Sequence, residues 1–143
     1  ELNVGRNPEL TFNYENSYVN ITTESEYFNN KNITQITEKS FKPFFYYQIP
    51  IIIASPGHLQ ELKNKYDFDF YEDIVNINYD REFDDKKRFQ MILNEIYKIN
   101  ENKNKIIDFY KNNKDRFELN KRKVIDICSN DEDYQYFVKK LIK

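Results

Sequence analysis

One stretch of this 143-residue chain decides its fold class: Ile49-Pro50-Ile51-Ile52-Ile53-Ala54. The stretch is short and apolar without alternation, which is the pattern of a strand covered on both faces. Ser55-Pro56-Gly57 breaks it, and the next residues predict a short helix over 58–66 with Leu59 and Leu62 on one face. A doubly covered strand followed by a helix is typical of a parallel α/β sheet.

A second strand is predicted upstream, at Tyr18-Val19-Asn20-Ile21-Thr22-Thr23. Apolar and polar side chains alternate there and β-branched residues are frequent, so we expect a strand with one face covered. Residues 68–75 predict one further short strand or extended segment. Ile51 to Ile53 are expected to form the central strand.

A helix is predicted between the two strands. Either Thr37 or Ser40 can cap it, and it runs to about Tyr47. Pro43 has no amide hydrogen and is tolerated best in the first turn, so we expect the regular helix to begin near Ser40. The amides of residues 38–41 would then be free to face a ligand.

From Asp84 onward the apolar residues recur with helical spacing. The three patterns are Phe89, Ile92, Leu93, Ile96 and Tyr97; then Ile106, Phe109, Tyr110 and Phe117; and finally Tyr134, Phe137, Val138 and Leu141. The charged run Lys111 to Arg122 is interpreted as a solvated helix end and connector. The sequence therefore predicts an α/β protein with a Rossmann-like, mainly parallel sheet, flanking helices and a helical C-terminal tail.

Residues 1–16 contain Gly5, Pro8 and several Asn without a sustained period, and the chain starts with Glu1. We interpret them as an irregular lead-in from a longer protein. Residues 17–143 show no Gly/Ser linker and no repeat of 20 to 50 residues. They are expected to form a single α/β domain whose C-terminal helices begin at about residue 84.

Composition excludes several classes of function. The net charge is −2 and the pI is near 5.6, so the chain has no general attraction for nucleic acid or an anionic membrane. No apolar run approaches the ~20 residues of a membrane helix. Cys128 is the single cysteine and His58 the single histidine, which excludes an internal disulfide and a conventional Cys/His zinc site. We expect a cytoplasmic protein without a metal.

The main chemical signal is the run Thr-Glu-Lys-Ser-Phe-Lys-Pro at residues 37–43. It places a carboxylate, two ammonium groups and two hydroxyls at a predicted loop-to-helix junction. Helix-start amides with Lys39 can hold a phosphate, and Glu38 can accept hydrogen bonds from two neighbouring sugar hydroxyls. A capped, solvated helix start would show the same spacing, so the spacing leaves both interpretations open.

Three segments together resemble the C-terminal donor-binding half of GT-B glycosyltransferases: residues 17–25, 36–43 and 49–52. The likeness is to α-1,3-fucosyltransferases and to glycosyltransferase-like proteins of phages and large viruses. In that group a strand ending in Glu precedes a Thr-Glu-Lys helix start and an Ile-Pro-Ile or Val-Pro-Val strand. The resemblance covers about residues 17 to 100.

The resemblance implies a nucleotide-sugar site. Glu38 matches the family Glu that contacts the donor ribose, Lys39 the Lys at the donor diphosphate, and Glu24 the Glu that closes the preceding strand. The predicted donor-binding set is Glu24, Thr37, Glu38, Lys39, Ser40 and Lys42. Gln35 stands where the fucosyltransferases usually have Tyr, so neither fucose nor guanine is assigned.

The resemblance also implies what the chain lacks. The family's catalytic base lies in an N-terminal acceptor-binding domain, so no residue here is assigned as catalytic. We expect the donor-binding domain of a glycosyltransferase, with a nucleotide-diphosphate sugar as substrate and no other cofactor. The missing acceptor-binding domain is the expected partner, and the cytoplasm of a virus-infected host is one expected setting. The isolated half is expected to bind without turnover.

Two other classes of function compete with this interpretation. A non-catalytic interaction or assembly module could use the same α/β fold, with the Thr-Glu-Lys run as a merely structural feature. Binding of single-stranded nucleic acid would use aromatic side chains for stacking and Lys for phosphates. The aromatic residues after Phe83 fall mostly on apolar helical stripes, which favours core packing over base stacking.

Four further features are interpreted as structural. Asp67-Phe68-Asp69 has a metal-binding Asp-x-Asp spacing that we attribute to chance in an acidic chain. His58 is expected to cap a helix or to be solvated. Cys128 is expected to be packed and unreactive. The acceptor patterns for N-glycosylation at Asn20 and Asn32 are interpreted as unmodified.

Overall fold

The computed structural model describes residues 14–28 and 36–130. In chain order its elements are β1 (Val19–Thr23), α1 (Glu38–Phe45), β2 (Ile49–Ile53), α2 (His58–Tyr66), a 3-10 turn (Asn78–Arg81), α3 (Asp85–Glu101), α4 (Lys103–Asn112) and α5 (Lys114–Asn130). The strands β1 and β2 pair in parallel, with Val19 opposite Ile49 and Thr23 opposite Ile53. The α/β class and the parallel pairing are thus confirmed.

The apolar run at residues 49–54 behaves as its pattern predicts. Ile49, Ile51 and Ile52 of β2 are at most 1% exposed, so both faces of the strand are covered. In β1 the expected covered face is not seen, because no residue of the strand is buried and Ile21, on the apolar face, is 51% exposed. The sheet of the described residues has two strands, so β2 is not a central strand there.

Residues 68–75 do not form a strand. Residues 67–71 are irregular and residues 72–75 form a turn. Asp67 and Tyr71 each have a φ of 56°, in the left-handed region, which is incompatible with continuous strand geometry. Phe68 and Phe70 are nevertheless buried, and Phe68 stacks on Phe44 of α1 at a ring separation of 4.3 Å.

Helix α1 begins two residues earlier than the position of Pro43 predicts. Its N-cap is Thr37, whose hydroxyl accepts a hydrogen bond from the Lys39 amide at 3.3 Å. Pro43 therefore lies inside the helix and not in its first turn. The cap and the contacts that Glu24 makes with it stabilise this start, and they outweigh the one helical hydrogen bond that Pro43 cannot donate.

Helix α3 confirms the helical period but buries a different face. Its buried residues are Arg88, Ile92, Glu95 and Ile99, whereas Phe89 and Tyr97 of the predicted stripe are 45% and 62% exposed. The two charged residues are buried because they have partners. Arg88 donates to the Tyr27 carbonyl at 2.5 Å and to Asp85 at 2.6 Å, and Glu95 accepts from the Asn76 amide at 2.9 Å.

The prediction of a solvated helix end and connector at Lys111 to Arg122 fits only residues 111–113, where α4 ends, and is wrong for the rest. Helix α5 covers most of this run, and its Phe117 and Asn120 are at most 1% exposed. Phe117 thus belongs to α5 and not to one stripe with Ile106. Cys128 is also buried, as expected. The pattern from Tyr134 to Leu141 lies outside the described residues.

Within residues 14–28 and 36–130, no helix combines the length and the apolarity needed to cross a membrane.

Candidate functional site

The loops that follow β1 and β2 lie side by side at the carboxyl ends of the strands. The Glu24 amide donates to the Ile53 carbonyl at 2.9 Å, and the Ser55 amide donates to the Glu26 carbonyl at 2.8 Å. Helices α1 and α2 both start at this edge, where parallel sheets usually bind their ligands. The parallel topology thus brings two helix starts and the first residue after β1 together.

Glu24 is the centre of a buried hydrogen-bond network at this edge. Its side chain is in a residue only 7% exposed. One carboxylate oxygen, Oε2, accepts from the Thr37 hydroxyl at 2.7 Å. The other, Oε1, accepts from the Ser40 hydroxyl at 2.5 Å and from the Thr37 amide at 3.4 Å. All three donors are neutral groups at the start of α1, so they fix the carboxylate without neutralising it.

His58, the first residue of α2, joins the same network. It is 1% exposed, and its Nε2 lies 2.7 Å from the Ser40 Oγ. Burial lowers the pKa of the imidazole below 6.5, and the nearby negative charge of Glu24 opposes this shift. The expectation of a capping or solvated histidine is therefore wrong. Sequence reasoning could have found this contact, because residues that follow two parallel strands meet at one edge.

The start of α2 is occupied by a carboxylate of the chain itself. Asp80 accepts from the Leu59 amide through Oδ1 and from the Gln60 amide through Oδ2, each at 3.0 Å. Its carbonyl also accepts from the Gly57 amide at 2.8 Å. Asp80 is 5% exposed, and burial raises the pKa of its carboxyl above 3.8 although both amides oppose the shift. An external anion therefore has no vacant amides at α2.

The amides at the start of α1 are also largely used. The Lys39 amide donates to the Thr37 hydroxyl, and the Ser40 amide donates to the Thr37 carbonyl at 3.2 Å. The expectation of free amides over residues 38–41 is therefore wrong for these two residues, because the cap takes them. Any external phosphate at this junction must rely mainly on side chains.

The predicted donor-binding residues fall into two groups. Glu24, Thr37 and Ser40 contact each other directly, as described above. Glu38, Lys39 and Lys42 lie on the first two turns of α1 and are half-buried. Their charged groups form no ion pair with another described residue. Glu38 and Lys39 thus lie at the same edge, whereas Lys42 lies in the last turn of α1. The charges of all three are uncommitted to the described residues.

The connectivity of the network differs from that of a nucleophilic triad. In a Ser-His-Asp/Glu triad the histidine lies between the serine and the acid and takes the proton of the serine. Here Ser40 lies between Glu24 and His58, and its side chain is fully buried. The hydroxyl is held as a bridge and is inaccessible to a substrate, so the arrangement does not support hydrolysis by a serine nucleophile.

The Asp-x-Asp sequence lies away from this network and has other partners. Asp67 pairs with Lys123 at 2.8 Å, and Asp69 accepts from Arg116 at 2.7 and 3.0 Å. These ion pairs tie the segment to α5. Among the described residues, no group of three or more His, Cys, Asp or Glu could hold a metal ion. Asn20 donates to the Gln48 side chain at 2.7 Å, whereas Asn32 lies outside the described residues.

An apolar cavity of about 380 Å³ lies apart from the predicted site residues. One wall is formed by the sheet and the other by α3 and α4. Its wall residues include Val19, Ile21 and Ile51 from the strands and Ile96, Ile99 and Ile106 from the helices. None of the six predicted donor-binding residues lines it.

Comparisons of the chain with models of protein families, with curated proteins and with solved structures found no match. The resemblance to GT-B glycosyltransferases therefore stays a hypothesis, and the function has to be argued from the site.

Proposed function

We propose that this chain is the nucleotide-sugar donor-binding domain of a glycosyltransferase, with a Rossmann-like fold of the GT-B type. The observation that supports this proposal is that the residue after β1 is hydrogen-bonded to the start of α1 at the carboxyl edge of the sheet. A buried carboxylate, Glu24, holds the helix start that carries Glu38 and Lys39. Ligands of open parallel α/β sheets bind at this edge.

The geometry suggests which side chains would hold the diphosphate and which would hold the ribose. The carboxylates of Glu24 and Asp80 already occupy the inner amides, so the diphosphate would be held by ammonium groups. Lys39 and Lys42 are three residues apart on α1 and can therefore serve one anion together. Glu38 would accept the two ribose hydroxyls, because an ionised carboxylate is an acceptor of several hydrogen bonds.

In the intact enzyme, Lys39 would stabilise the negative charge that develops on the leaving diphosphate. A general base from a separate acceptor-binding domain would take the proton of the acceptor hydroxyl. The isolated chain would then bind the donor without transferring the sugar.

Calorimetry with a panel of nucleosides, nucleoside diphosphates and nucleotide sugars tests this proposal. A hydrogen bond between charged groups contributes about 1.5 to 3 kcal/mol, so Lys39→Ala should weaken diphosphate binding roughly 10- to 150-fold. Nucleoside binding should change much less. Glu38→Gln should weaken binding of nucleosides and nucleotides alike.

The matched control is Lys105→Ala, which removes an exposed lysine from α4. It should leave every affinity unchanged, and neither lysine variant should alter the unfolding free energy by more than about 0.5 kcal/mol. Equal affinity of the wild type and Lys39→Ala for every diphosphate would contradict the proposal.

The alternative of a non-catalytic interaction module is favoured by one observation. The apolar cavity opens beside Ile21, which is 51% exposed on the sheet. Sizeable apolar surfaces often mark sites of protein association. A folded chain that binds no nucleotide in the calorimetric panel would favour this alternative.

A further inference from the structure

We propose that His58 and Ser40 are positioning residues, which orient the Glu24 carboxylate so that its Oε2 accepts a hydroxyl of the ligand. The inference rests on the proposed function for the identity of the ligand as a nucleotide sugar. The positioning itself follows from the contacts of three buried side chains at the carboxyl edge of the sheet.

The direction of the hydrogen bonds follows from the donor inventory. An ionised carboxylate only accepts, so the Ser40 hydroxyl donates its proton to Glu24. The Ser40 oxygen must then accept from His58, because its one proton is already used. The proton of the neutral imidazole is therefore on Nε2, and Nδ1 is unprotonated. The result is a relay that runs from His58 through Ser40 to Glu24.

Counting the donors supplied by the described residues indicates which oxygen of Glu24 can accept a further hydrogen bond. Each carboxylate oxygen accepts about two hydrogen bonds. Within residues 14–28 and 36–130, Oε1 of Glu24 accepts from two donors, the Ser40 hydroxyl and the Thr37 amide, whereas Oε2 accepts from one, the Thr37 hydroxyl. We therefore assign the hydrogen bond from the ligand to Oε2. A hydroxyl of ribose or sugar can donate to this oxygen, whereas an anionic phosphate oxygen only accepts and cannot.

His58 is suited to positioning Ser40 because it is a neutral hydrogen-bond donor that is shielded from water. Among the described residues, the titratable groups near it are Glu24, reached through Ser40, and Asp80, whose carboxylate binds the amides of the next two residues of α2. Neither carboxylate accepts a hydrogen bond from the imidazole in these contacts. Burial favours the uncharged ring, so His58 holds Ser40 without forming an ion pair that would neutralise Glu24.

Nitrogen NMR of the imidazole tests the relay without any ligand. His58 is the single histidine of the chain, so its ring signals need no assignment by mutation. At about pH 7.5, above the ordinary pKa of imidazole, the ring should be neutral with its proton on Nε2. Ser40→Ala should shift the Nε2 signal, because the acceptor is lost. A proton on Nδ1, or a charged ring at this pH, would overturn the relay.

Calorimetry of four variants then tests its effect on binding. His58→Leu and Ser40→Ala should weaken nucleotide-sugar binding roughly 10-fold, and Glu24→Gln at least as much. His58→Gln retains an N–H donor near the position of Nε2 and should restore affinity to within about 3-fold of the wild type. Rescue by Gln but not by Leu separates positioning from mere filling of space. Melting temperatures identify variants that fail to fold.

The calorimetric measurements also identify which hydroxyl of the ligand donates to Glu24. A loss with free nucleosides indicates ribose, and a loss confined to nucleotide sugars indicates the sugar; both outcomes support the inference. A loss of the same size with inorganic pyrophosphate would overturn it. If the wild type binds no nucleotide, the proposed function fails while NMR still decides the relay. If the wild type binds nucleotide sugars and neither His58→Leu nor Ser40→Ala changes the affinity, the relay is overturned while the proposed function stands.

Discussion

Replacement of Asp80 by alanine should destabilise the protein and create a vacant anion site at the start of α2. In the native protein this carboxylate accepts from two successive amides, those of Leu59 and Gln60, each at 3.0 Å. The Leu59 residue is 1% exposed, so its amide cannot be satisfied by bulk water after the substitution. The Gln60 residue is exposed, and its amide can be hydrated.

The size of the effect follows from these environments. A buried amide left without an acceptor costs about 1 to 3 kcal/mol, and loss of the exposed amide's partner costs about 0.5 to 1 kcal/mol. Removal of a negative charge from a helix N-terminus adds about 0.3 to 1 kcal/mol. Asp80→Ala should therefore lower the unfolding free energy by about 2 to 5 kcal/mol.

Urea denaturation of Asp80→Ala and of a matched variant, Asp84→Ala, measures this effect. Asp84 caps α3 through the Lys87 amide at 2.9 Å, but it is exposed, so its loss should cost only about 1 kcal/mol. Inorganic phosphate should stabilise Asp80→Ala more than the wild type, because the freed Gln60 amide is exposed and can bind an anion. Equal destabilisation by the two substitutions would refute the argument that burial makes the Asp80 cap costly to lose.

The same carboxyl gives a pH dependence of known sign. Burial raises the folded-state pKa of Asp80 above 3.8, so the folded chain holds this proton more tightly than the unfolded chain. The stability contributed by the protonated form is complete below pH 3.8 and is lost as the pH rises through the folded-state pKa. Asp80→Asn should remove this contribution, which denaturation at several acidic pH values would detect.

Three further predictions concern single side chains. Arg116→Ala should lower the unfolding free energy measured in urea by about 1 to 2 kcal/mol, because partly exposed ion pairs to Asp69 and Asp73 and a contact with the Tyr71 ring are lost. Arg116→Lys should not restore this stability. Because the folded-state pKa of His58 is below 6.5, stability should fall as the pH falls from 6.5 through that lower value, and His58→Gln should remove this slope. Cys128 should react with a thiol reagent rapidly in urea and slowly in the native protein, since it is 1% exposed.

Local patterns in the sequence predicted the elements that depend on local chemistry. The unbroken apolar run at 49–54 predicted a doubly covered strand, and β2 is one. The 3.6-residue period after Asp84 predicted helices, and α3 spans Phe89 to Tyr97. A strand pattern and a helix period can each be recognised within a few consecutive residues. Predicting these elements therefore needs no information about tertiary contacts.

Local patterns in the sequence did not predict the partners of buried polar groups. Arg88 and Glu95 lie on the buried face of α3 because each forms a hydrogen bond with a backbone group distant in sequence. Arg88 donates to the Tyr27 carbonyl, and Glu95 accepts from the Asn76 amide. In the same way, the start of α1 follows Glu24 and Thr37 and not the preference of Pro43. The contact of His58 with Ser40 depends on the parallel pairing of β1 and β2. A scan for local motifs misses it, although the predicted parallel topology leads to it.

The separation of the contacting residues along the chain sets the order in which the Glu24 network can be assembled. Ser40 and Glu24 are 16 residues apart, His58 and Ser40 are 18 apart, and Asp80 lies 21 residues beyond the amide of α2 that it binds. Such contacts form only after long loops have closed, which slows folding. During synthesis from the N-terminus, the carboxylate of Glu24 must therefore remain hydrated until α1 has emerged from the ribosome. The α2 start remains uncapped until Asp80 has followed, so both helix starts are completed late.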